Sequence, residues 1–383
     1  MTKTGHCPVQ TTFDTMTQSR IIREAVEAWM DTQSTYEEEM VRYRRNALLK
    51  ILFFLGCIVA AVIIAGMTLT IGDYPIGFVH SFEVLWDHLM GTPQNEVEDF
   101  IIWRIRTPRI FIGIIAGIGL AVCGAVMQSI LKNPLADAYT TGVSSGASFG
   151  ATLAIAMGFS VVGIGGYAIV ANAFVFSLIP VAVILAVSKL KGANPVTMIM
   201  AGIAVMYVFN AITSLIKLGV SETSLAGLFS WTVGTLDNSS WQQVYIMAFF
   251  IGIGTVLMQL SARKLNVLAT GDESAKSIGI NSNNLRMLCM GVCAVMAASI
   301  VSFTGMIGFV GLVCPHIVRL LIGSDNRFLI PASGAFGAVL LTLSDFIGRT
   351  IIAPQIIPVG IITSAMGGPL FLWLVIRQKR GDY

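Results

Sequence analysis

The sequence predicts an all-α, polytopic membrane protein of about ten transmembrane helices. Its 383 residues are 55% hydrophobic and 12% charged, and the mean hydropathy is +0.78. So little polar surface cannot cover a soluble globule. Unpaired backbone groups are costly in hydrocarbon, and a helix needs about 20 apolar residues to cross it. Apolar runs of that size recur along the chain. Helices are therefore predicted rather than a closed barrel.

The first apolar run, at 47–68, follows a polar extension of residues 1–46. An arginine cluster at 42–45 lies directly before the run, which predicts a cytoplasmic N-terminus. The extension is too long for the charged region of a signal peptide, so the run is predicted to be a retained span. Apolar residues in the stretch 21–30 recur at helical spacing. They indicate an amphipathic cytoplasmic helix or, as an open alternative, a loosely ordered extension.

Nine further apolar runs complete the predicted membrane domain, 47–380. They lie at 110–130, 141–159, 162–188, 196–216, 243–261, 287–303, 306–322, 329–347 and 356–376. Ten spans threaded from a cytoplasmic start leave most Lys and Arg residues in cytoplasmic loops, so both termini are predicted to be cytoplasmic. Small-residue patterns, such as Gly113, Gly117 and Gly124, predict closely packed helices.

Four arginines depart from this charge pattern. Arg104, Arg106 and Arg109 lie at the predicted outer start of the second span, and Arg349 lies beyond the outer end of the ninth. We expect their guanidinium groups to face outward. Snorkelling at the membrane interface is one explanation, and a binding role is the other.

Few side chains in the spans could carry chemistry or bind a driving ion. Asp345 lies near the end of a span, and His316 lacks an acidic neighbour in sequence and is interpreted as structural. The sequence shows no nucleophile elbow, HExxH pair or phosphate-binding loop, so we predict no catalytic residue, no metal site and no cofactor. The net charge is only +3 and the basic residues are dispersed, so nucleic acid is not an expected partner.

Energy for active transport would then enter through a docking surface in the cytoplasm. The loop at 262–286 is the longest predicted cytoplasmic loop, and Gly271 and Gly279 bracket a short helix within it. An ordinary connecting loop is the alternative interpretation.

Four stretches of the sequence resemble the permease family of type II ABC importers, which take up iron(III)-siderophores, haem and cobalamin. They are RIRTPRIFIGIIAGIGLAVCGAVMQSILKNPLADAYTTGVSSGAS, GDESAKSIGIN, GMIGFVGLVCPHIVRLLIGSDNRFLIPASG and IIPVGIITSAMGGPLFLWL. The resemblance covers roughly 47–380. It implies ten spans, a second permease subunit (identical or a sister chain), two ATP-binding cassette ATPases and a substrate-binding protein or lipoprotein. It also implies the plasma (inner) membrane of a prokaryote, with membrane lipid around the spans.

The resemblance also implies roles for individual residues. Positions that meet acidic residues of the binding protein are matched by Arg106, Arg109 and Arg349. The motif of the helix that couples to the ATPase is matched by Gly271, Asp272, Glu273, Ala275 and Gly279. Cytoplasmic gate positions are matched by Asn133 and Leu135, and a second gate element contains Pro195 and Val196, where cobalamin permeases have small hydroxyl residues.

The resemblance therefore implies a permease that moves an iron(III)-siderophore-type metal chelate into the cytoplasm by ATP-driven alternating access. ATP hydrolysis would belong to the partner subunits, so the chain itself is not expected to be an enzyme. Cobalamin and haem are open alternatives within the family. A secondary carrier driven by an ion gradient is the alternative from another class.

Overall fold

The computed structural model describes residues 48–377, except residues 73, 164–166 and 238. The amphipathic helix predicted at 21–30 and the basic tail after residue 377 lie outside the described residues. The chain divides into a unit of residues 1–52 and a unit of residues 53–383. The second unit contains all the contacts discussed below.

Seven helices in the described part of the chain are long and apolar enough to cross a bilayer. They are Leu48–Thr70 (α1), Glu96–Leu131, Ala168–Lys191 (α6), Pro195–Leu218 (α7), Trp241–Ala269 (α9), Ser282–Thr304 (α11) and Asn326–Thr350 (α13). Three shorter apolar helices are Val143–Met157 (α5), Val310–Ile322 (α12) and Val359–Arg377 (α14). These ten helices correspond one for one to the ten predicted runs, so the predicted fold class is confirmed.

Shorter helices lie between the spans. They are Phe78–Met90 (α2), the 3₁₀ turn Tyr139–Thr141, Glu222–Thr232 (α8) and Asp272–Ser277 (α10). No strand occurs among the described residues.

The second span begins earlier than the predicted boundary of 110. It is continuous from Glu96–Asp99 (α3) through a π-helical segment, Phe100–Arg106, into Thr107–Leu131 (α4). Asn95 begins it, because its side-chain oxygen accepts the backbone N–H of Val97 at 3.0 Å. The prediction was wrong here because acidic and basic residues between 96 and 106 interrupt the apolar pattern without interrupting the helix.

Helix α4 lies at the centre of the bundle and packs against α9, α11, α12 and α13. Its glycines permit the closest approaches. A Cβ atom at Gly117 would overlap the carbonyl of Gly337 in α13, and one at Gly124 would overlap the carbonyl of Gly311 in α12. The predicted close packing of small residues is confirmed at these two crossings.

The bundle has two polar ends, which are separated by the length of α4, about 38 Å for its 25 residues. One is named the α2 end and comprises the described residues of 68–109, 234–240 and 345–358. The other is named the α10 end and comprises residues 130–142, 191–196, 269–286 and 323–327. Capping side chains begin helices at the α10 end: Asn194 for α7, Asn281 for α11 and Asp325 for α13.

Candidate functional site

Helix α10 is a single short helix set between two glycines. Gly271 precedes it with φ 132° and Gly279 follows it with φ 83°, both backbone conformations that L side chains rarely adopt. Ala275 is fully buried and its carbonyl accepts the N–H of Ile280 at 2.9 Å, while Glu273 is exposed. The helix is therefore fixed along one face and presents the other face to its surroundings.

Asp272, the first residue of α10, forms a two-pronged ion pair with Arg286 of α11. The distances are 2.7 Å from Nη1 to Oδ2 and 2.6 Å from Nη2 to Oδ1. Lys132 lies 3.3 Å from the same carboxylate. Hydrogen bonds from Arg286, with the smaller contribution of Lys132, lower the pKa of Asp272 to about 2. The carboxylate is thus ionised throughout the physiological range.

The Arg286 side chain is buried, with 1% of its surface exposed, although the sequence analysis placed it in a cytoplasmic loop, directly before the predicted span 287–303. Its Nε donates to the carbonyl of Ile130 at 3.0 Å, and its Nη1 donates to the carbonyl of Ala193 at 3.1 Å. One guanidinium therefore binds the end of α4, the α6–α7 loop and α10. Sequence reasoning counted Arg286 only as a loop charge. In the structure it lies four residues after Ser282, the first residue of α11, so the predicted start of the span at 287 was too late to show it.

The residues predicted to form the gates flank this guanidinium. Asn133 follows α4, and its side chain accepts the N–H of Leu135 at 2.9 Å. Asn194 caps α7 through the N–H of Val196 at 3.0 Å, with Pro195 as the first helical residue. Leu135 and Val196 are exposed.

A cavity connects these elements at the α10 end. Its volume is about 350 Å³, and it is lined by Lys132, Gly192, Asn194, Pro195, Asp272, Asn283 and Arg286. The structure therefore brings the two loops and the start of α10 around one polar space.

Asp137, in the α4–α5 loop, is a buried carboxyl at the same end. It is 8% exposed, and its Oδ1 accepts the N–H of Thr140 at 2.8 Å. Burial raises the pKa of Asp137 to about 6, despite that hydrogen bond.

At the α2 end, Arg106 and Arg349 are buried against the end of α1. Arg106 is 3% exposed and donates to the carbonyls of Leu69 and Tyr74, the latter at 2.6 Å. Arg349 is 9% exposed and donates to the carbonyls of Thr68, at 3.4 Å, and Ile71. Both guanidinium groups thus bind backbone oxygens of one segment, 68–74.

Arg109 binds two carboxylates from distant parts of the chain. Its Nη2 lies 2.8 Å from Oδ1 of Asp345 in α13, and its Nη1 contacts Asp237 in the loop before α9. Asp345 is 5% exposed at its side chain. Burial alone would raise the pKa of Asp237, but the hydrogen bond from Thr235 and the charge of Arg109 outweigh it and lower that pKa.

The expectation that these guanidinium groups face outward stays a prediction, because burial does not show which side of the membrane a group faces. Arg106 and Arg349 are buried against backbone carbonyls, and Arg109, with 11% of its side chain exposed, is bound to two remote carboxylates. Sequence spacing shows neither kind of partner. Arg104 is exposed. The assignment of Arg106, Arg109 and Arg349 to docking also stays a prediction.

A histidine and two carboxylates connect α2 to α3, a contact that sequence reasoning missed. The two ring nitrogens of His80 lie 3.0 Å from Glu83 and 2.8 Å from Glu98. Hydrogen bonds to Glu83 and Glu98 raise the pKa of His80.

Inside the spans, the structural role of His316 stays a prediction, and its Nδ1 is buried without a hydrogen-bond partner among the described residues. It is 5% exposed and packs edge-on against Phe371, with ring centroids 6.2 Å apart.

Comparison with known proteins adds a family and several relatives. The FecCD transport family matches residues 55–377. A hemin transport system permease protein of Yersinia pestis is 34% identical over 78% of this chain and 89% of its own length. An Fe(3+)-citrate import system permease protein of Bacillus subtilis is 34% identical over 88% of this chain and 98% of its own length. A solved inward-facing structure of a metal-chelate type ABC transporter superposes with a TM-score of 0.75, at 29% identity, over 85% of this chain and 99% of that one.

Proposed function

The chain belongs to the FecCD transport family, and on that premise we propose that it is the permease subunit of an ATP-binding cassette importer whose cargo is an iron(III)-siderophore-type metal chelate. The observation that carries this proposal is the connection of α10 to both predicted gates through Arg286. One face of this short helix is packed against the bundle and the other is exposed, so the helix is suited to receive motion from another protein. The Fe(3+)-citrate relative supports an iron(III) chelate as cargo.

The α10 end faces the cytoplasm in this proposal, together with both chain termini. Two ATPase subunits seat α10 there, with the motif Gly271, Asp272, Glu273, Ala275 and Gly279 at the contact. ATP-driven closure of the ATPases moves α10, and the gates at Asn133, Leu135, Pro195 and Val196 respond. A second permease subunit completes the pathway for the cargo.

The α2 end faces outside and receives the substrate-binding protein. We propose that Arg106, Arg109 and Arg349 serve this docking by exchanging some of their internal partners for acidic side chains of the binding protein. Arg to carboxylate pairs orient a transient complex and speed its formation.

Two alternatives are separable by experiment. Haem or cobalamin could replace the siderophore as cargo, and the hemin permease relative supports the former. An ion-coupled carrier would need an ionisable group in the membrane to bind the driving ion. Asp345 is a carboxylate within a span, but it is already bound to Arg109, which disfavours that use.

The test is uptake by proteoliposomes that contain this chain, its ATPase and its binding protein. We expect a ferric siderophore to accumulate only with ATP on the ATPase side, and an uncoupler to leave that uptake intact. Uptake that an uncoupler abolishes while ATP is held constant would favour the ion-coupled carrier. Parallel assays with ferric siderophore, haem and cobalamin identify the cargo, and transport of haem or cobalamin alone would reject the siderophore.

Glu273→Cys and Glu83→Cys, two substitutions at positions exposed in the structure, test the orientation in intact cells. An impermeant thiol reagent should label position 83 alone. Labelling of both positions from outside would reject the proposed topology.

A further inference from the structure

Arg286 joins three elements that the proposed mechanism requires to move together. We infer that it is the positioning residue through which α10 sets both gate loops, an inference that rests on the proposed function. The side chain touches neither cargo nor nucleotide in this assignment. It acts by holding Asp272, the α4–α5 loop and the α6–α7 loop in one fixed arrangement.

The geometry of the guanidinium supports this role. Three of its nitrogens are used, with Nε on the Ile130 carbonyl, Nη1 shared between the Ala193 carbonyl and Asp272, and Nη2 on Asp272. A planar fork fixes the direction as well as the distance of each partner. A displacement of α10 is therefore transmitted as a displacement of the guanidinium group of Arg286.

The two carbonyls lie immediately before the predicted gates. Ile130 precedes Asn133 by three residues, and Ala193 directly precedes Asn194. Both Ile130 and Ala193 are fully buried, so the surrounding side chains hold their carbonyls in place. Motion at these carbonyls reaches Leu135 and Val196 through a few residues of backbone.

Asp272 and Arg286 differ in burial, so their ion pair runs from the protein surface to the interior. The side chain of Asp272 is 48% exposed and that of Arg286 is 1% exposed. The Asp272 carboxylate is thus at the surface, where an ATPase can contact it. The Arg286 guanidinium links that carboxylate to the buried carbonyls of Ile130 and Ala193. Lys132 cannot replace Arg286, because it makes a single 3.3 Å contact from a half-exposed side chain.

The experiment uses the full complex and two measurements. The first is the number of chelate molecules imported per ATP hydrolysed. The second is hydrogen exchange in peptides covering 131–136, 192–197 and 272–277, with the ATPases held closed by ATP and vanadate or left open. In the wild type we expect closure to change exchange in all three peptides.

The variants separate the fork from its charge. Arg286→Lys keeps the positive charge but loses the planar guanidinium that binds several partners at once. We expect about a tenfold fall in chelate imported per ATP. Exchange in 272–277 should still respond to closure, whereas exchange in 131–136 and 192–197 should not. Asp272→Asn should give the same pattern, and Asp272→Glu should restore much of the coupling.

Arg327→Lys is the matched control. Arg327 forms a similar ion pair with Asp325, 2.6 Å long, but Asp325 lies only two residues away and caps the same helix, α13. Through that pair Arg327 contacts neither predicted gate loop, so the coupling ratio should stay at the wild-type value.

The outcomes are distinguishable. Wild-type complex that imports no chelate defeats the proposed function itself. Wild-type import combined with a normal coupling ratio and normal gate exchange in Arg286→Lys defeats this inference alone. If Arg286→Lys does not fold, Asp272→Asn decides, since its side chain is half exposed, and normal coupling in that variant also defeats the inference.

Discussion

Buried arginines occupy both polar ends of the bundle, but their partners differ. At the α2 end, Arg106 and Arg349 bind backbone carbonyls of segment 68–74. At the α10 end, Arg286 binds two carbonyls and also a carboxylate that reaches the surface. The first arrangement holds segment 68–74 in place, whereas the second connects the interior of the bundle to a carboxylate at the protein surface. In our proposal, the same residue type therefore fixes a segment at one end and transmits motion at the other.

The two ends also differ in what binds their buried carboxyl groups. Asp345 at the α2 end is paired with Arg109, whereas Asp137 at the α10 end is stabilised by a backbone N–H and has no cation among its described hydrogen-bond partners. The following changes test these differences, from the largest expected effect to the smallest.

Replacing Arg109 by Met should have the largest effect on stability. Asp345 would be left buried without its cation, a change that typically costs about 3–5 kcal/mol. The measurement is the free energy of unfolding in detergent by chemical denaturation. Arg109→Met combined with Asp345→Leu should recover most of the loss. A double variant as unstable as the single one would show that the ion pair is not the cause.

Replacing Asp137 by Asn should remove a dependence of stability on pH. The pKa of Asp137 is raised from 3.8 to about 6, so the folded state holds the proton more tightly than the unfolded state. The wild type should therefore lose stability as the pH rises from about 4 through about 6, by about 2–3 kcal/mol. Asp137→Asn should lack this loss when unfolding is measured across that range. An identical pH profile in both proteins would contradict the assignment.

Replacing Arg106 by Gln should loosen segment 68–74. Hydrogen bonds from a charged group contribute about 1.5–3 kcal/mol, so backbone exchange in this segment should accelerate. Arg104→Gln, an exposed neighbour, is the control. The same variants test docking, because a true docking role also predicts weaker, less salt-sensitive binding of the binding protein. Faster backbone exchange in segment 68–74, with unchanged affinity for the binding protein, would show that Arg106 holds this segment in place but does not serve docking.

Replacing Lys132 by Gln should have the smallest effect. Its pair with Asp272 joins two half-exposed side chains at 3.3 Å, and such pairs contribute less than about 1 kcal/mol. The free energy of unfolding should change within that limit. A loss as large as that of Arg109→Met would mean that the α10 end depends on Lys132 as well as Arg286.

The seven long apolar helices and the three shorter ones could be predicted because hydropathy along the chain marks the segments that can be buried in hydrocarbon. Helix α10 could be predicted because Gly271 and Gly279 mark its limits. The start of the second span could not, since Glu96 and Arg106 lie within a continuous helix. A hydropathy pattern does not reveal a helix whose charged residues are paired with residues elsewhere in the fold.

The environment of the candidate site residues could not be predicted for a related reason. Arg109 and Asp345 are 236 positions apart, and Arg286 and Ile130 are 156 positions apart. Such pairs exist only after the helices have packed. Carbonyl partners leave no trace at all in a sequence, because every residue has one. The motifs therefore predicted candidate positions at both ends, but neither their burial nor the contacts of Arg286.

The glycine crossings of α4 restrict where the protein can change shape. Helices whose backbones touch, as α4 does with α12 and α13, cannot rotate or slide past each other without first separating, because no side chain lies between them to readjust. In the most apolar window of the second span 78% of residues are buried within this chain. An alternating pathway would thus open and close without separating α4 from α12 and α13.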